Sequence, residues 1–190
     1  MDAEGVVIAA DGELCLRAMR DADDDWTRLV TWRNRPHVRA WWDPDDPPYT
    51  LERARADCGP ALRGEDPDRL AVIEVAGAAV GFVQFYPWAP YRHELELMDV
   101  DLPEGAWSLD ILIGEPEWLD RGVGSRTVRL LCDHMLHREG ASCVAFGVDR
   151  DNARARAAYL RAGMVAAGEY LDLDTRGGER VWSVLMVRTP

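Results

Sequence analysis

The sequence contains no lysine, because all 22 of its basic residues are arginine. Mechanisms that need a lysine nucleophile or a lysine Schiff base are therefore excluded. No stretch approaches the ~20 consecutive apolar residues of a membrane-spanning helix, so no membrane partner is expected. The N-terminus carries Asp2 and Glu4 but no positive charge, and the apolar run at 6–10 is too short for the core of a signal peptide. These absences predict a cytoplasmic protein.

Cysteine is scarce, and the spacing of its four residues shows neither a CxxC pair nor a disulfide framework. We expect free thiols, as in a reducing compartment, at Cys15, Cys58, Cys132 and Cys143. Cys132 lies on an apolar helical stripe and is expected in the core. His134 and His137 have an i, i+3 spacing that can bind a metal, but no third ligand accompanies them. No metal is predicted.

Basic residues are fewer than acidic ones, since the sequence has 22 of the former and 34 of the latter, which gives a net charge of −12. Such a surface repels phosphate backbones and attracts cations. The composition therefore disfavours nucleic acid as a partner and favours a polycationic small molecule. At 190 residues we expect one domain spanning 1–190. The sequence leaves open whether it is a monomer or a homodimer.

Strands and helices alternate along the chain, which predicts a mixed α/β domain of the α+β type. We expect strands at 13–17, 70–75, 79–86, 107–113, 143–148, 164–171 and 180–187. Helices are expected after the aspartates at 21–25, then over 50–62, from the glycines at 122 and 124 to 140, and from 152 to 163. The segment 87–105 is rich in Pro, Glu and Asp and is expected to be a long loop.

Two glycines, Gly122 and Gly124, lie between a predicted strand and the most regular amphipathic helix. Glycine lets the backbone approach a ligand closely, and the first N–H groups of the helix point toward an anion such as a pyrophosphate. An ordinary strand-to-helix turn is the alternative. The segment lacks the third glycine of a dinucleotide fingerprint and the Lys-Ser/Thr of a P-loop, which disfavours those two nucleotide sites.

A later helix places Asn152, Ala155 and Tyr159 on one side, since these residues are three and four positions apart. A capping amide, a small residue and a phenol on one face could hold a long, thin ligand. The alternative is a capped helix with a half-buried tyrosine.

The loop at 118–126 and the helix at 151–163 together resemble the GNAT superfamily of acetyl-CoA-dependent N-acetyltransferases, in element order over nearly the whole chain. The segments Leu109–Pro116, Trp32–His37 and Trp41–Trp42 are further similar to the aminoglycoside 6'-N-acetyltransferases. This resemblance implies a central, mostly antiparallel mixed sheet with a parallel, splayed strand pair at the acetyl-CoA cleft, flanked by helices. The sequence departs from the family pattern at Leu119, at Ile111, where Gln is usual, and at Met164, where Phe is usual.

The resemblance implies transfer of the acetyl group of acetyl-CoA to the 6'-amino group of aminoglycoside antibiotics, which confers resistance. Acetyl-CoA is then expected to contact residues of one strand, the glycine loop and the later helix. These are Ile111, Leu112, Ile113, Arg121, Gly122, Val123, Gly124, Ser125, Arg126, Asn152, Ala155 and Tyr159.

Asp110 is the predicted general base. Acylation needs a neutral amine, alkyl amines are mostly protonated at neutral pH, and a carboxylate can take the proton directly or through water. An aspartate in the middle of a strand is otherwise poorly suited to β structure. An outward-facing acid in an acidic protein is the alternative. The resemblance assigns the corresponding aspartate a catalytic, amine-binding role.

Tyr159 is the predicted proton donor to the departing thiolate, since its reference pKa of about 10 suits that transfer. A backbone N–H near Ile111 to Ile113 is expected to polarise the thioester carbonyl. The resemblance further implies direct attack in a ternary complex, without a covalent acyl-enzyme.

Substrate binding is expected to use acids and aromatic rings, because an aminoglycoside carries several ammonium groups and flat sugar faces. The candidates are Trp41, Trp42, Glu94, Glu96, Asp110 and Asp149. For the tryptophans, core packing of one ring is the alternative, and for the acids a solvated loop. Two rival functions stay open: acetylation of another amine, such as a siderophore lysine precursor or a protein N-terminus, and a non-catalytic ligand-binding GNAT domain.

Overall fold

The computed structural model describes residues 5–190, and its backbone forms one eight-stranded sheet with helices on both faces. The strands are β1 (Val7–Asp11), β2 (Leu14–Ala18), β3 (Arg69–Val75), β4 (Ala78–Pro87), β5 (Ala106–Ile113), β6 (Cys143–Asp149), β7 (Val165–Arg176) and β8 (Glu179–Arg188). The helices are α1 (Asp23–Arg33), α2 (Pro36–Arg39), α3 (Leu51–Leu62), α4 (Arg92–Met98), α5 (Val123–Arg138) and α6 (Ala153–Arg161).

The strands follow the order β1-β2-β3-β4-β5-β6-β8-β7 across the sheet. Every neighbouring pair is antiparallel except β5 and β6, which are parallel. This is the mixed, mostly antiparallel sheet that the resemblance predicted. Within it, the parallel pair lies in the interior, between β4 and β8.

Successive side chains along a strand point to opposite faces of the sheet, and apolar residues on both faces form a separate core on each. On β3, Ala71 and Ile73 belong to the core that packs under α5, while Leu70 and Val72 belong to the core under α1 and α3. The α5 stripe contributes fully buried residues to the first core, and Cys132 is among them with 0% exposure. The prediction for Cys132 is confirmed.

Most of the predicted elements occur, and four features differ. The strand expected to come first in the chain is β2. It is preceded by β1, an edge strand that pairs with it and whose residues are largely exposed. The expected long loop contains α4, a short helix held by the buried Leu95 and Met98. Gly124 lies inside the first turn of α5 instead of before it. The β7–β8 hairpin is also longer than the alternating pattern indicated.

Over residues 5–190, no helix has both the length and the apolar character needed to cross a membrane. The four cysteines are free thiols, and three of them are buried.

Candidate active site

The parallel strands β5 and β6 separate soon after they meet. They pair only at Ala106 with Cys143 and at Trp107 with Val144. The N–H of Gly114, just beyond β5, donates to the Val80 carbonyl of β4. Because N–H direction alternates along a strand, the N–H groups of Ile111 and Ile113 point away from β4, into the gap that the separation opens. This gap is the centre of a cavity of about 490 Å³.

The N-terminus of α5 forms one wall of this cavity. Gly122 adopts a left-handed conformation with φ of 76°, which favours glycine, and the helix begins at Val123 without a side-chain cap or an acidic residue in its first turn. Uncapped N–H groups at a helix start are a ready site for an anion. A Cβ on Gly124 would have Ile113 Cγ1, 4.0 Å away, as its nearest neighbour. The space beside Gly124 is therefore open to a ligand.

Helix α6 forms the facing wall. The Asn152 side chain caps it by accepting a hydrogen bond from the Ala155 N–H at 3.1 Å. Ala155 and Tyr159 line the cavity from the same side of the helix. The Tyr159 ring packs edge-on against Phe146 of β6, with centroids 5.0 Å apart, which fixes its position.

Asp110 lies on β5 at the point where this cleft meets the acidic part of the cavity. It stands opposite Gln84 of β4, whose Nε2 donates to its Oδ2 at 2.8 Å. Burial raises the pKa of Asp110, while hydrogen bonds from Gln84 and Tyr86 act in the opposite direction. A carboxylate whose pKa is raised toward neutrality is better matched to removing a proton from an amine.

Tyr159 lies in the same cleft, where its surroundings make the phenol a weaker acid than an exposed tyrosine. Its burial and the nearby charge of Asp110 raise the pKa of its phenol. The group therefore keeps its proton at neutral pH. A carboxyl group and a phenol thus face one cavity, which Ile111 and Ile113 of β5 also line.

The other end of the cavity is acidic and aromatic. It is lined by Trp41, Trp42, Asp43, Asp45, Asp46, Glu94, Asp149, Tyr170, Asp172 and Asp174. Desolvation and the charges of Asp172 and Asp110 raise the pKa of Asp174. The concentration of carboxylates makes this end attractive to cations.

Comparison with known proteins agrees with this geometry. The family described as "Acetyltransferase (GNAT) domain" matches residues 21–171, which include both walls of the cleft. The chain belongs to the GNAT acetyltransferase family. GNAT acetyltransferases take their acetyl group from acetyl-CoA, and the cleft of this protein brings an uncapped helix start, Asp110 and Tyr159 to one cavity.

The GNAT chain has relatives with named substrates. It is 22% identical over 179 residues to the aminoglycoside N(6')-acetyltransferases type 1 of Klebsiella pneumoniae and Serratia marcescens, a match that covers 94% of this chain and 86% of theirs. A crystal structure of aminoglycoside acetyltransferase AAC(6')-Ib with coenzyme A and kanamycin superposes with a TM-score of 0.76 at 22% identity, covering 93% and 94% of the two chains. A spermidine N-acetyltransferase from Vibrio cholerae with CoA and spermine gives 0.72 at 16% identity, covering 94% and 96%. These superpositions establish the shared fold.

Most of the predicted acetyl-CoA contacts lie together on the cleft walls of this GNAT domain. The cavity is lined by Ile111, Leu112, Ile113, Gly122, Val123, Gly124, Ser125, Asn152, Ala155 and Tyr159. Arg121 and Arg126 do not line it. The Arg121 guanidinium lies 5.5 Å from the Trp118 ring centroid, and Arg126 bonds to the Asp11 carbonyl at 2.9 Å.

The predicted substrate residues likewise include some that line the cavity and one that does not. Trp41, Trp42, Glu94, Asp110 and Asp149 line the cavity. Glu96 does not, and the prediction for it finds no support: it is exposed on α4. Two residues along a helix correspond to a rotation of about 200°, so Glu96 cannot share the side of Glu94.

Trp41 and Trp42 have different surroundings. Trp42 packs against the core under α1 and α3, with the Arg33 guanidinium 4.5 Å from its ring centroid. Core packing of one ring was the alternative considered from the sequence, and it applies to Trp42. Trp41 is 37% exposed and presents its ring to the cavity.

Gln84, Gly147 and Tyr170 belong to the site although the sequence did not single them out. Gln84 could have been found from the strand register, since it pairs with Asp110. A Cβ on Gly147 would lie 2.0 Å from the Tyr170 hydroxyl, so glycine is required for Tyr170 to reach across the sheet. No single-sequence pattern signals that approach. Within residues 5–190, no cluster of three or more His, Cys, Asp or Glu side chains is arranged to hold a metal ion.

Proposed function

We propose that this GNAT acetyltransferase transfers the acetyl group of acetyl-CoA to the 6'-amino group of aminoglycoside antibiotics. The observation that supports this most is the junction at Asp110. On one side of it lies an uncapped helix start suited to a pyrophosphate, and on the other lies a cavity lined with carboxylates and the Trp41 ring. A polycationic sugar is the substrate class that such a lining favours.

In the proposed reaction acetyl-CoA supplies an acetyl thioester. Asp110 accepts the proton of the substrate ammonium, so that the neutral nitrogen can form a bond to the acetyl carbon. The N–H groups of Ile111 and Ile113 offer hydrogen bonds to the carbonyl oxygen on which charge develops. As the carbon–sulfur bond breaks, the Tyr159 hydroxyl donates its proton to the sulfur, and the second proton that the nitrogen loses on becoming an amide restores the phenol. None of the four free cysteines lines the cavity, so the proposed reaction uses no thiol of the protein. We propose that the protein works in the cytoplasm.

Comparison of two aminoglycosides tests both the substrate class and the position. Neomycin carries a 6'-amine where paromomycin carries a hydroxyl. We expect purified protein and acetyl-CoA to release free thiol with kanamycin and neomycin, and far more slowly with paromomycin. Equal rates with neomycin and paromomycin would place acetylation on another amine.

The same assay includes lysine derivatives and peptides, which represent the rival amines. A preference for either of these over kanamycin would overturn the proposal. Absence of thiol release with every amine, in protein that binds acetyl-CoA by calorimetry, would favour a ligand-binding GNAT domain instead.

A further inference from the structure

One corner of the acidic cavity already contains a cation from the protein itself. Arg176, the last residue of β7, places its Nη2 2.7 Å from Asp149 Oδ2. Its guanidinium carbon lies 4.9 Å from the centroid of the Trp41 ring. A carboxylate and an aromatic face together form a favourable environment for any cation, whether guanidinium or ammonium. All three residues line the cavity that contains Asp110.

Asp149 has no oxygen left without a partner in this arrangement. Its Oδ1 accepts the Asp151 N–H at 2.7 Å in the turn before α6, and its Oδ2 accepts from Arg176. A substrate ammonium at Asp149 therefore competes with Arg176, whose guanidinium already pairs with Oδ2. Asp149 was expected from the sequence to contact the substrate directly. In the structure its Oδ2 is paired with Arg176 instead.

Arg176 is not needed to hold the end of the β7–β8 hairpin in place. The turn is fixed by Asp45, whose two carboxylate oxygens accept the N–H groups of Gly177 and Gly178 at 3.0 and 3.1 Å. The Arg176 side chain is 37% exposed although that of Asp149 is only 13% exposed, so the ion pair is partly solvated and contributes modestly to stability. Its position is better explained by what it does to the cavity.

We propose that Arg176 is a built-in cation that occupies an ammonium subsite between Asp149 and Trp41 and so limits which polycations the enzyme accepts. The inference rests on the proposed function in taking a polycation as the substrate. Arg176 neutralises Asp149 and fills the space beside Trp41. Substrates whose remaining amines reach the other carboxylates bind without hindrance, and those that need this corner must displace the guanidinium.

Removal of the side chain tests the subsite. In Arg176→Ala we expect the dissociation constants of ribostamycin and spermine, measured by calorimetry, to fall about threefold to tenfold, because Asp149 becomes available to a ligand ammonium. The salt dependence of binding should become steeper, since one more ion pair forms with the ligand. Arg176→Lys, which keeps a cation, should bind both probes as the unmodified protein does. Acetyl-CoA affinity and melting temperature should stay unchanged.

Arg150→Ala is the matched control. Arg150 also stacks on a tryptophan, Trp182 at 5.9 Å, and pairs with an acid, Glu169 at 3.7 Å, but it does not line the cavity. Its loss changes the net charge equally. Equal tightening in Arg150→Ala would attribute the effect to overall charge, and unchanged or weaker binding in Arg176→Ala would refute the subsite.

The calorimetric test does not depend on turnover, so the two proposals can fail separately. If no aminoglycoside is acetylated while Arg176→Ala binds spermine more tightly, the proposed function fails and the subsite stands. If aminoglycosides are acetylated and probe affinity does not change, the subsite alone is refuted.

Discussion

Asp110 and Tyr159 have unequal shares in the proposed chemistry. Asp110→Asn keeps the shape but cannot accept a proton, and we expect kcat/KM to fall roughly 10²–10⁴-fold, the usual contribution of a general base. Tyr159→Phe removes a donor to a leaving group that is already reasonable, so its loss should be about tenfold or less. Steady-state kinetics on kanamycin, with thermal melts to check folding, measures both. Near-normal activity in Asp110→Asn beside an inactive Tyr159→Phe would reverse the assignment.

In the proposed reaction Gln84 acts through Asp110. Its amide donates to the carboxylate and stabilises the ionised form, so it keeps the pKa of Asp110 lower than burial alone would set it. In Gln84→Met this donor is lost, and the pKa of Asp110 should rise further. The rising limb of kcat/KM against pH should therefore move to higher pH, on the order of 0.5–1 pH unit. A limb that stays in place would show that another group sets it.

At the scale of elements, a buried ion pair joins β2 to α1. Asp25 accepts two hydrogen bonds from the Arg17 guanidinium, at 2.6 and 2.7 Å, and both residues are at least 94% buried. Burial alone would raise the pKa of Asp25, but the hydrogen bonds from Arg17 and Arg20 outweigh it and hold the pKa well below its usual range. The stabilisation is present above the pKa of an unfolded aspartate and is lost as pH falls.

Asp25→Asn should therefore lower the free energy of unfolding by about 3 kcal/mol at pH 7, because it removes the charged acceptor of two Arg17 hydrogen bonds and leaves Glu74, 2.7 Å from Arg17 Nε, as the remaining counter-charge. The deficit should shrink as the pH is lowered below about 4, where the unmodified protein loses the same interaction. Denaturant unfolding measures both. Asp24→Asn, on the same helix but 49% exposed in its side chain, should change stability by less than about 0.5 kcal/mol. Equal losses in the two variants would contradict the assignment.

A substitution at the start of α5 tests the proposed pyrophosphate site. Gly124→Val should fold, because the added side chain meets open space, but should weaken acetyl-CoA binding by about tenfold or more, since it occupies the approach to the helix N–H groups. Arg129→Val places the same β-branched residue on an exposed position of α5 and should leave affinity unchanged. Calorimetry with acetyl-CoA decides, and normal affinity in Gly124→Val would place the pyrophosphate elsewhere.

The sequence predicted the helices that begin at a capping side chain close to them in the chain. Thr50 caps α3 by accepting the Arg53 N–H, and Asn152 caps α6 in the same way, so both starts could be inferred from the sequence. β1 and α4 could not, because an exposed edge strand and a two-turn helix show almost no apolar periodicity. Arg176 could not be foreseen either. Its partners Asp149 and Trp41 are brought to it by the fold of distant segments.

For the whole molecule, the net charge of −12 should affect the two substrates differently. Raising the salt concentration shortens the Debye length from about 10 Å at 0.1 M to 3 Å at 1 M, and so weakens the attraction of the acidic cavity for a polycation. We expect the KM for kanamycin to rise about threefold to tenfold over that range. The KM for acetyl-CoA should change less, because its proposed contacts are mainly backbone N–H groups. A KM for kanamycin that does not vary with salt would exclude electrostatic attraction.

The separation of β5 from β6 divides the protein's only parallel strand pair among residues 5–190 into a short paired part and a longer unpaired one. Along the unpaired part, the amides of Ile111 and Ile113 lack the strand partner that slows exchange with solvent deuterium elsewhere in a sheet interior. Two amides at the centre of the fold should therefore exchange as though they lay at its edge. A ligand that accepts hydrogen bonds from these two amides would replace the missing strand partner. Binding in the cleft should then be measurable as slower deuterium exchange at Ile111 and Ile113.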